Sequence, residues 1–363
     1  MTSAPPFTLG FQIGLSVFAA LLFMLSLVCN TVVIYIVCTR SHMRNSTNIL
    51  IANMAVGDLL LTVAIPYIVK WMYVGNTWFS DDFFGVFLCK FLHSVQLGSI
   101  TCSVFTLVTI SIDRCLAITY PLKHMFSDKV LKLSIAGIWI SAIGMSVPMI
   151  IVVQAKETEN GNYICIESWG NYSGLDEEKY ILTFSTCTYF VPLVLIAIAY
   201  TITGIRLWKR KLPGNENLLA QQKIHAVSKK ATIMLITVVL VFALCWLPLQ
   251  IREVLKFYEH LQIPIKLDIV LPWVGLSNIA INPFLYIIFS ENYRIEFLEI
   301  LCCHHSQKME VYHGLLSVPE RTPLGTPMLS RRNTERISLS PNNDRRQLSL
   351  SNHSLQMKKL NGK

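Results

Sequence analysis

The stretch Val86-FLCKFLHSVQLGSITCSVFTLVTISIDRCLA-Ile118 decides the fold. Cys89 near its start and Arg114 near its end lie 25 positions apart, which on a helix rising about 1.5 Å per residue is roughly 37 Å. That exceeds the hydrocarbon thickness of a bilayer, about 30 Å. A cysteine at one interface, Asp113-Arg114-Cys115 at the other, and Gln96 and Ser103 between them describe a membrane helix readable at both ends. Its outer end is expected to meet a ligand and its inner end a cytoplasmic partner.

The rest of the chain is equally apolar. Of its 363 residues 53% are hydrophobic and 15% charged, against about 25% charged in ordinary soluble proteins. The net charge of +9 does not indicate a nucleic-acid partner, because the Lys and Arg residues cluster in short segments between apolar runs and in the tail rather than on one folded face. Met1–Gly10 lacks the basic start and small-residue cleavage site of a secretory signal, so membrane entry is expected from the first span. Of the ten cysteines, Cys29, Cys38, Cys102, Cys187 and Cys245 fall in apolar runs and Cys115 lies just inside the inner interface. They have no metal-like spacing and read as packing residues. Cys302 and Cys303 follow the last helix, which leaves Cys89 and Cys165 for an oxidising outer face.

Seven runs are long enough to span: Phe11 to Cys38, Asn48 to Tyr73, Val86 to Ile118, Val130 to Val153, Tyr180 to Trp208, Ser228 to Tyr258 and Ile265 to Phe289. The expected fold is an all-α membrane protein, a seven-transmembrane helix bundle with a β-hairpin in the second extracellular loop and a short amphipathic eighth helix. The domains are a short extracellular N-terminus over 1–10, the bundle over 11–289, the amphipathic helix over 290–303 and a disordered cytoplasmic tail over 304–363. The short loops carrying Arg40, Arg44, Lys123, Lys129, Arg206, Lys209–Lys211, Lys223 and Lys229 mark the cytoplasmic side. The opposite side holds Asp81, Asp82, Glu157, Glu159, Glu167, Asp176 to Glu178, Glu259 and Asp268. The N-terminus is therefore expected outside and the C-terminus inside.

Asn160-Gly161, flanked by Ile151–Glu159 and Asn162–Trp169, predicts the hairpin. Cys165 within it is the plausible partner for Cys89, tying the hairpin over the bundle mouth. Asn171-Tyr172-Ser173 in the same loop predicts glycosylation at Asn171. After Phe289, Ile295, Leu298 and Leu301 fall near one side of a charged segment, predicting a helix lying on the membrane surface, with Cys302 and Cys303 as candidate palmitoylation sites. The tail beyond His304 is polar and rich in Ser, Pro and Arg.

An ionisable residue at mid-bilayer costs at least about 2.5 kcal/mol on insertion scales. Asp58 lies mid-run in the second span, Asn278 and Asn282 share a face of the seventh, and Asn30 and Ser103 lie within the first and third. Two readings stay open from spacing: a hydrated pocket able to hold Na⁺, or a polar network that only fixes helix packing. Pro66, Pro148, Pro192, Pro248, Pro272 and Pro283 each weaken a span.

The combination of Asn30, Asp58, Cys89 with Cys165, Asp113-Arg114-Cys115, Trp139, Pro192 with Tyr200, Phe242 through Trp246 to Pro248, and Asn282-Pro283-Phe-Leu-Tyr286 resembles the rhodopsin-like G-protein-coupled receptors. It covers about residues 11 to 303, with one landmark in every helix and in order. The resemblance implies that Arg114 holds the closed inner face through Asp113 and later meets the G protein. It also implies that Tyr200 and Tyr286 swing towards Arg114, and that Trp246 and Phe242 relay pocket contacts to motion of the sixth helix about Pro248. Asn282 and Pro283 belong to the same switch. Asp58, Ser103, Asn278 and Asn282, with Trp246, match the family's sodium site, which favours an allosteric Na⁺ over packing alone; no other cofactor is expected. Leu122 matches a G-protein contact, and a receptor kinase and arrestin would act on the tail, with membrane lipid around the bundle. Three departures stand out. Cys115 replaces the usual tyrosine, Ile279 a small polar residue, and Ser228-Lys229-Lys230 offers no acid to Arg114, so appreciable basal signalling is expected.

Gln96 stands where amine receptors carry an aspartate, and Leu276 where opsins need a lysine, so both readings fail on chemistry. Gln96, the hairpin lid, Trp78-Phe79 and the acidic mouth resemble neuropeptide receptors, above all those for neuropeptide Y, neuropeptide FF and orexin. The expected ligand is a basic, C-terminally amidated peptide, with His93, Gln96, Ile100, Phe184, Thr188, Trp246, Leu249, Gln250, Glu253, Asp268 and Leu276 around it. A lipid or other small molecule is the alternative within the family. A transporter is the alternative outside it, although no internal repeat supports one, and there is no nucleophile-base pair, metal spacing or phosphate loop for an enzyme.

Overall fold

The computed structural model describes residues 7–120, 126–171, 174, 176–209, 218–258 and 263–301. The chain divides into two units, Met1–Ser306 and Gln307–Lys363, and the second lies outside the described residues. Seven helices in the first unit are long and apolar enough to cross a membrane: Leu9–Thr39, Ser46–Val74, Phe83–Thr119, Asp128–Val152, Glu177–Leu207, Ser228–Lys256 and Ile265–Phe289. The third packs against the second, fourth and fifth and is the hub of the bundle. An eighth helix, Glu291–Leu301, follows.

Most helices begin two or three residues before their apolar runs, because polar caps start them. Asn45, Asp82, Ser127 and Asp176 accept N–H groups of Asn48, Gly85, Val130 and Lys179 at 3.0, 2.7, 3.4 and 3.2 Å. Asp82 also accepts from Ser80, and the Gly85 N–H together with that hydroxyl holds its carboxyl below the usual range. Two spans are irregular. The fifth contains a π turn over Thr186–Phe190, just before Pro192. The seventh breaks at Ser277 into Ile265–Leu276 and Asn278–Phe289.

At one end of the bundle, β2 (Val153–Glu157) and β3 (Tyr163–Glu167) form the expected antiparallel hairpin, Ala155 facing Cys165. The connection is a five-residue loop rather than a two-residue turn on Asn160-Gly161. Thr158 closes it through the Asn162 carbonyl, and Gly161 takes φ 74°. A two-residue strand β1 (Thr77–Trp78), which the apolar pattern did not predict, pairs with β3 and makes a sheet in the order β1-β3-β2. The disulfide Cys89–Cys165 pins this sheet to the third helix, 76 positions apart in sequence.

The eighth helix packs on the bundle through a different side from the Ile295, Leu298, Leu301 face expected to lie on the membrane. Its buried side is Tyr293, Glu296 and Phe297, while Leu298 is 56% exposed and the side chain of Leu301 lies outside the described residues. Glu296 contacts Arg40 at 2.7 Å and His42 at 3.3 Å, and Glu299 contacts Arg40 at 3.0 Å. The acids on the helix, Glu296 first, raise the Arg40 pKa. A buried acid therefore fastens the eighth helix to the end of the first. Arg40→Ala should speed amide exchange over residues 291–301 about tenfold, the worth of one charge-assisted hydrogen bond. Adding Glu296→Ala should recover most of that loss, because no unpaired carboxylate remains; additive losses in the double variant would contradict the clasp.

Candidate functional site

Beneath the hairpin a cavity of about 370 Å³ opens between the third, fifth and sixth helices. Seven of the residues expected around a ligand line it: Ile100, Phe184, Thr188, Trp246, Leu249, Gln250 and Glu253. Buried Phe242 and Trp246, their ring centroids 6.4 Å apart, lie at its base. Gln250 is 8% exposed, and its Oε1 has no hydrogen-bond partner among the described residues. Such an acceptor is costly unless something entering the cavity donates to it.

Four expected residues do not line this cavity. His93 Nδ1 donates to Cys89 O (2.9 Å) and its Nε2 meets the Tyr67 hydroxyl (3.3 Å), packed beside the disulfide. Disulfide-bonded Cys89 and Cys165 beside His93 are not metal ligands, although their atoms cluster. Gln96 donates back to Leu92 O at 3.0 Å on its own helix. Leu276 is buried with Leu61, Ile65 and Trp273. Asp268 is held at 3.3 Å by Arg252 and at 3.1 Å by Lys256.

Those last contacts correct the picture of a bare acidic mouth. Arg252 also pairs with Glu253, its Nε donating at 2.9 Å. Both acids chosen from the sequence are thus paired with cations of the sixth helix: Glu253 with its neighbour Arg252, and Asp268, across on the seventh helix, with Arg252 and Lys256. Glu167 and Glu177, also in the cavity wall, have no cation within 4 Å among the described residues; Glu167 accepts from the Trp169 indole at 2.9 Å. Tyr189 was missed as well. It sits in the π turn, its hydroxyl donates to Ala243 O at 2.9 Å, and its ring lies 6.2 Å from Phe242.

Below the cavity a polar column runs through the bundle. Asp58 Oδ1 accepts from Ser103 and Oδ2 from Asn282, both at 3.1 Å. The carbonyl oxygens of buried Asn278 and Asn282 have no partner among the described residues. A carboxylate, a hydroxyl and two amide oxygens without partners among the described residues suit a small hard cation. Asn30 is not part of this group. Its amide donates to Ser26 and to Ile279 O at 3.0 Å, lacing the first helix to the seventh.

At the opposite end Arg114 pairs with Asp113 at 2.7 Å, and the same Oδ2 accepts from Ser46 and Thr47 at 3.1 Å. Tyr200 bonds to Ser111 beside Arg114. The ring of Tyr286 lies 5.6 Å from that of Tyr293, and the Tyr286 hydroxyl has no partner among the described residues. A second cavity, about 500 Å³, is lined by Arg114, Lys230, Met234 and Arg294. Leu122, Cys302, Cys303 and the tail lie outside the described residues. Asn171 ends a short turn, Trp169–Asn171, and its partners Tyr172 and Ser173 lie outside them too.

The family model "7 transmembrane receptor (rhodopsin family)" matches residues 29–286. The chain belongs to this family. It is 31% identical over 310 residues to the RYamide receptor of Drosophila melanogaster, a match spanning 83% of this chain and 65% of that protein. The substance-P receptors of Cavia porcellus and Homo sapiens are 29% and 28% identical over 302 residues, 80% of this chain and 71% of theirs.

In the receptor, Trp246 and the seventh helix are matched by a glycine the sequence reading passed over. A Cβ on Gly275 would stand 3.0 Å from Trp246 Cε3 and 3.1 Å from Cζ3. Gly275→Ala should therefore displace the indole and cost about 1–3 kcal/mol as an overpacked site, lowering Tm by several degrees. Trp246→Phe in the same chain should relieve it, and an unchanged Tm for Gly275→Ala would refute the contact.

Proposed function

We propose that this receptor sits in the plasma membrane with its hairpin end outside and its tail in the cytoplasm. There it responds to a peptide by promoting nucleotide exchange on a heterotrimeric G protein. The observation that carries the reading is the cavity: a pocket under a disulfide-tied lid, with a deep acceptor on Gln250 that has no partner among the described residues and with Trp246 at its base. The relatives named for RYamide and substance P support a peptide. A backbone or terminal amide N–H suits the Gln250 acceptor. A basic side chain would meet Glu167 and Glu177 first, since Glu253 and Asp268 are already paired.

Ligand pressure on Trp246 would pass through Phe242 and Tyr189 to the sixth helix, which Pro248 leaves free to bend. Opening at the far end would part Lys230 and Met234 from Arg114 and admit the G protein, Leu122 taking part. Asp58, Ser103, Asn278 and Asn282 would hold a sodium ion, whose charge favours the inactive arrangement of the column when bound. Arrestin and receptor kinase at the tail, acylation at Cys302 and Cys303, and a glycan on Asn171 complete the reading. One observation favours a second ligand class: a crevice of about 230 Å³ facing out between the fifth and sixth helices, lined by Leu182, Phe190 and Val254, shares Gln250 and Glu253 with the cavity. A lipid could reach Gln250 by that route.

In vesicles with purified G protein, a panel of amidated peptides should contain one that stimulates exchange. Gln250→Ala should lower its potency on the order of tenfold, one buried hydrogen bond. Stimulation by lipids and by no peptide would favour the second reading, and ion or solute flux without exchange would overturn both. Without ligand, exchange should still be measurable, because Asp113 is the one acid paired with Arg114 among the described residues. Na⁺ but not K⁺ should suppress it, and Asp58→Asn should abolish that suppression; a silent ligand-free receptor, or suppression that survives Asp58→Asn, would refute these assignments.

A further inference from the structure

At the end of the bundle away from the hairpin, the sixth helix brings a base where an inner lock on Arg114 would need an acid. Its residues on the wall of the cavity of about 500 Å³ are Lys230, Ala231, Met234 and Leu235. After Ser228 the first acid on that helix is Glu253, at the hairpin end. Arg114 reaches the same wall from the third helix and Arg294 from the eighth. Arg114 has Asp113 as its partner at 2.7 Å, whereas Lys230 and Arg294 are exposed and have no carboxylate within 4 Å among the described residues. The one acid on the wall is Glu291, also exposed. Three cations against one acid repel one another across the cavity unless an anion stands between them.

Two further features of the wall favour an anion. The eighth helix, Glu291–Leu301, starts on it, with Ser290 and the first turn facing the cavity. The N–H groups of a first turn have no carbonyl to bond within their own helix, and the helix dipole adds positive charge there. Tyr293, on the same wall, is 1% exposed, and its hydroxyl has no partner among the described residues. A buried donor left unmatched is costly until an acceptor arrives. The volume falls within the range of small-molecule sites, about 300–1,000 Å³, which leaves room for a phosphorylated sugar or inositol.

We propose that this cavity is a seat for a phosphate-bearing anion, which bridges Lys230 of the sixth helix to Arg294 of the eighth and so supplies the inner lock that the sixth helix lacks. A phosphate presents three acceptor oxygens, enough to meet a guanidinium fork, an ammonium and a helix N-terminus together. The consequence for signalling rests on the function proposed above. On that reading the cavity faces the cytoplasm, and opening parts Lys230 from Arg114 and dismantles the seat. The anion therefore binds the closed arrangement more tightly and lowers ligand-free exchange.

The test uses the full chain in phosphatidylcholine nanodiscs, treated with phosphatase so that its own tail brings no phosphate, and without G protein. Inositol trisphosphate, titrated calorimetrically, should bind saturably. Lys230→Ala and Arg294→Ala, both at exposed positions that leave the fold intact, should each weaken binding about tenfold, the worth of one charge-assisted hydrogen bond. Lys229→Ala, one residue away and outside the cavity wall, should not. No saturable binding, or binding that both cavity variants leave unchanged, would overturn the seat. Weaker apparent binding in nanodiscs containing phosphatidylinositol bisphosphate would assign it to a membrane headgroup, and unchanged binding to a free phosphate; both uphold it. With G protein added, inositol trisphosphate should lower ligand-free exchange in the unaltered chain and not in Lys230→Ala. Binding without that suppression would overturn the lock. A chain that binds the anion but supports no exchange under any condition would count against the proposed function instead.

Discussion

A carboxylate in the middle of a membrane helix has no water to turn to, and Asp58 is met by two hydrogen bonds, from Ser103 and Asn282. An uncompensated charge at that depth would cost several kcal/mol. The second, third and seventh helices must therefore present their polar groups at one level, which sets their vertical register more tightly than apolar packing against lipid-like neighbours could. Asn30 does the same for the first helix by donating to Ile279 O, and the Trp139 indole reaches the fourth helix across to Asn53 Oδ1 at 2.9 Å. Five of the seven helices are indexed by polar contacts around one acid.

The same register leaves weak points aligned. The break at Ser277, the π turn before Pro192 and Pro248 all lie near the level of Trp246, in the three helices that face it. Gly275 lets the indole sit against the seventh helix, and the Tyr189 hydroxyl takes up Ala243 O, a carbonyl in the turn that Pro248 loosens. Flexibility is concentrated in one layer between two stiffer ones, the disulfide-tied sheet on one side and the Asp58 column on the other. On the proposed reading, a push on the indole would bend the sixth helix rather than disperse through the bundle.

Much of this was legible in the residues. Seven apolar runs, the Cys89–Cys165 pairing and the hairpin follow from composition and turn chemistry, and the landmarks of the family identify the column and Arg114. What escaped did so for physical reasons. Arg252 and Lys256 precede and follow Glu253 within one helical turn, and whether they satisfy the acids or point elsewhere depends on rotamers and on how close the seventh helix comes. Glu296 gives the eighth helix a bundle-facing side through its buried pairing with Arg40, which the spacing of its apolar residues does not show. Strand β1 has two residues, too short for any periodicity. Gln96 turns back to Leu92 O, a choice of side-chain torsion that spacing along a helix does not reveal.

The paired charges at the mouth change what recognition requires. Arg252, Glu253, Lys256 and Asp268 form a closed set spanning the sixth and seventh helices, half-buried and already partly desolvated. A ligand cation approaching Glu253 gains little by adding to that set, since it must displace a guanidinium of equal charge and better geometry. It gains more at Glu167 and Glu177, on the hairpin and the start of the fifth helix, where no cation stands within 4 Å among the described residues. On the proposed reading, charge attraction at the mouth would steer and orient a ligand, while the apolar floor and the Gln250 acceptor, unpartnered among the described residues, would set how deeply it sits. Discrimination comes from the exchange of partners as much as from new contacts. A ligand able to replace Arg252 at both acids would also loosen the link between the sixth and seventh helices, and on the proposed reading this would couple binding at the rim to bending at Pro248.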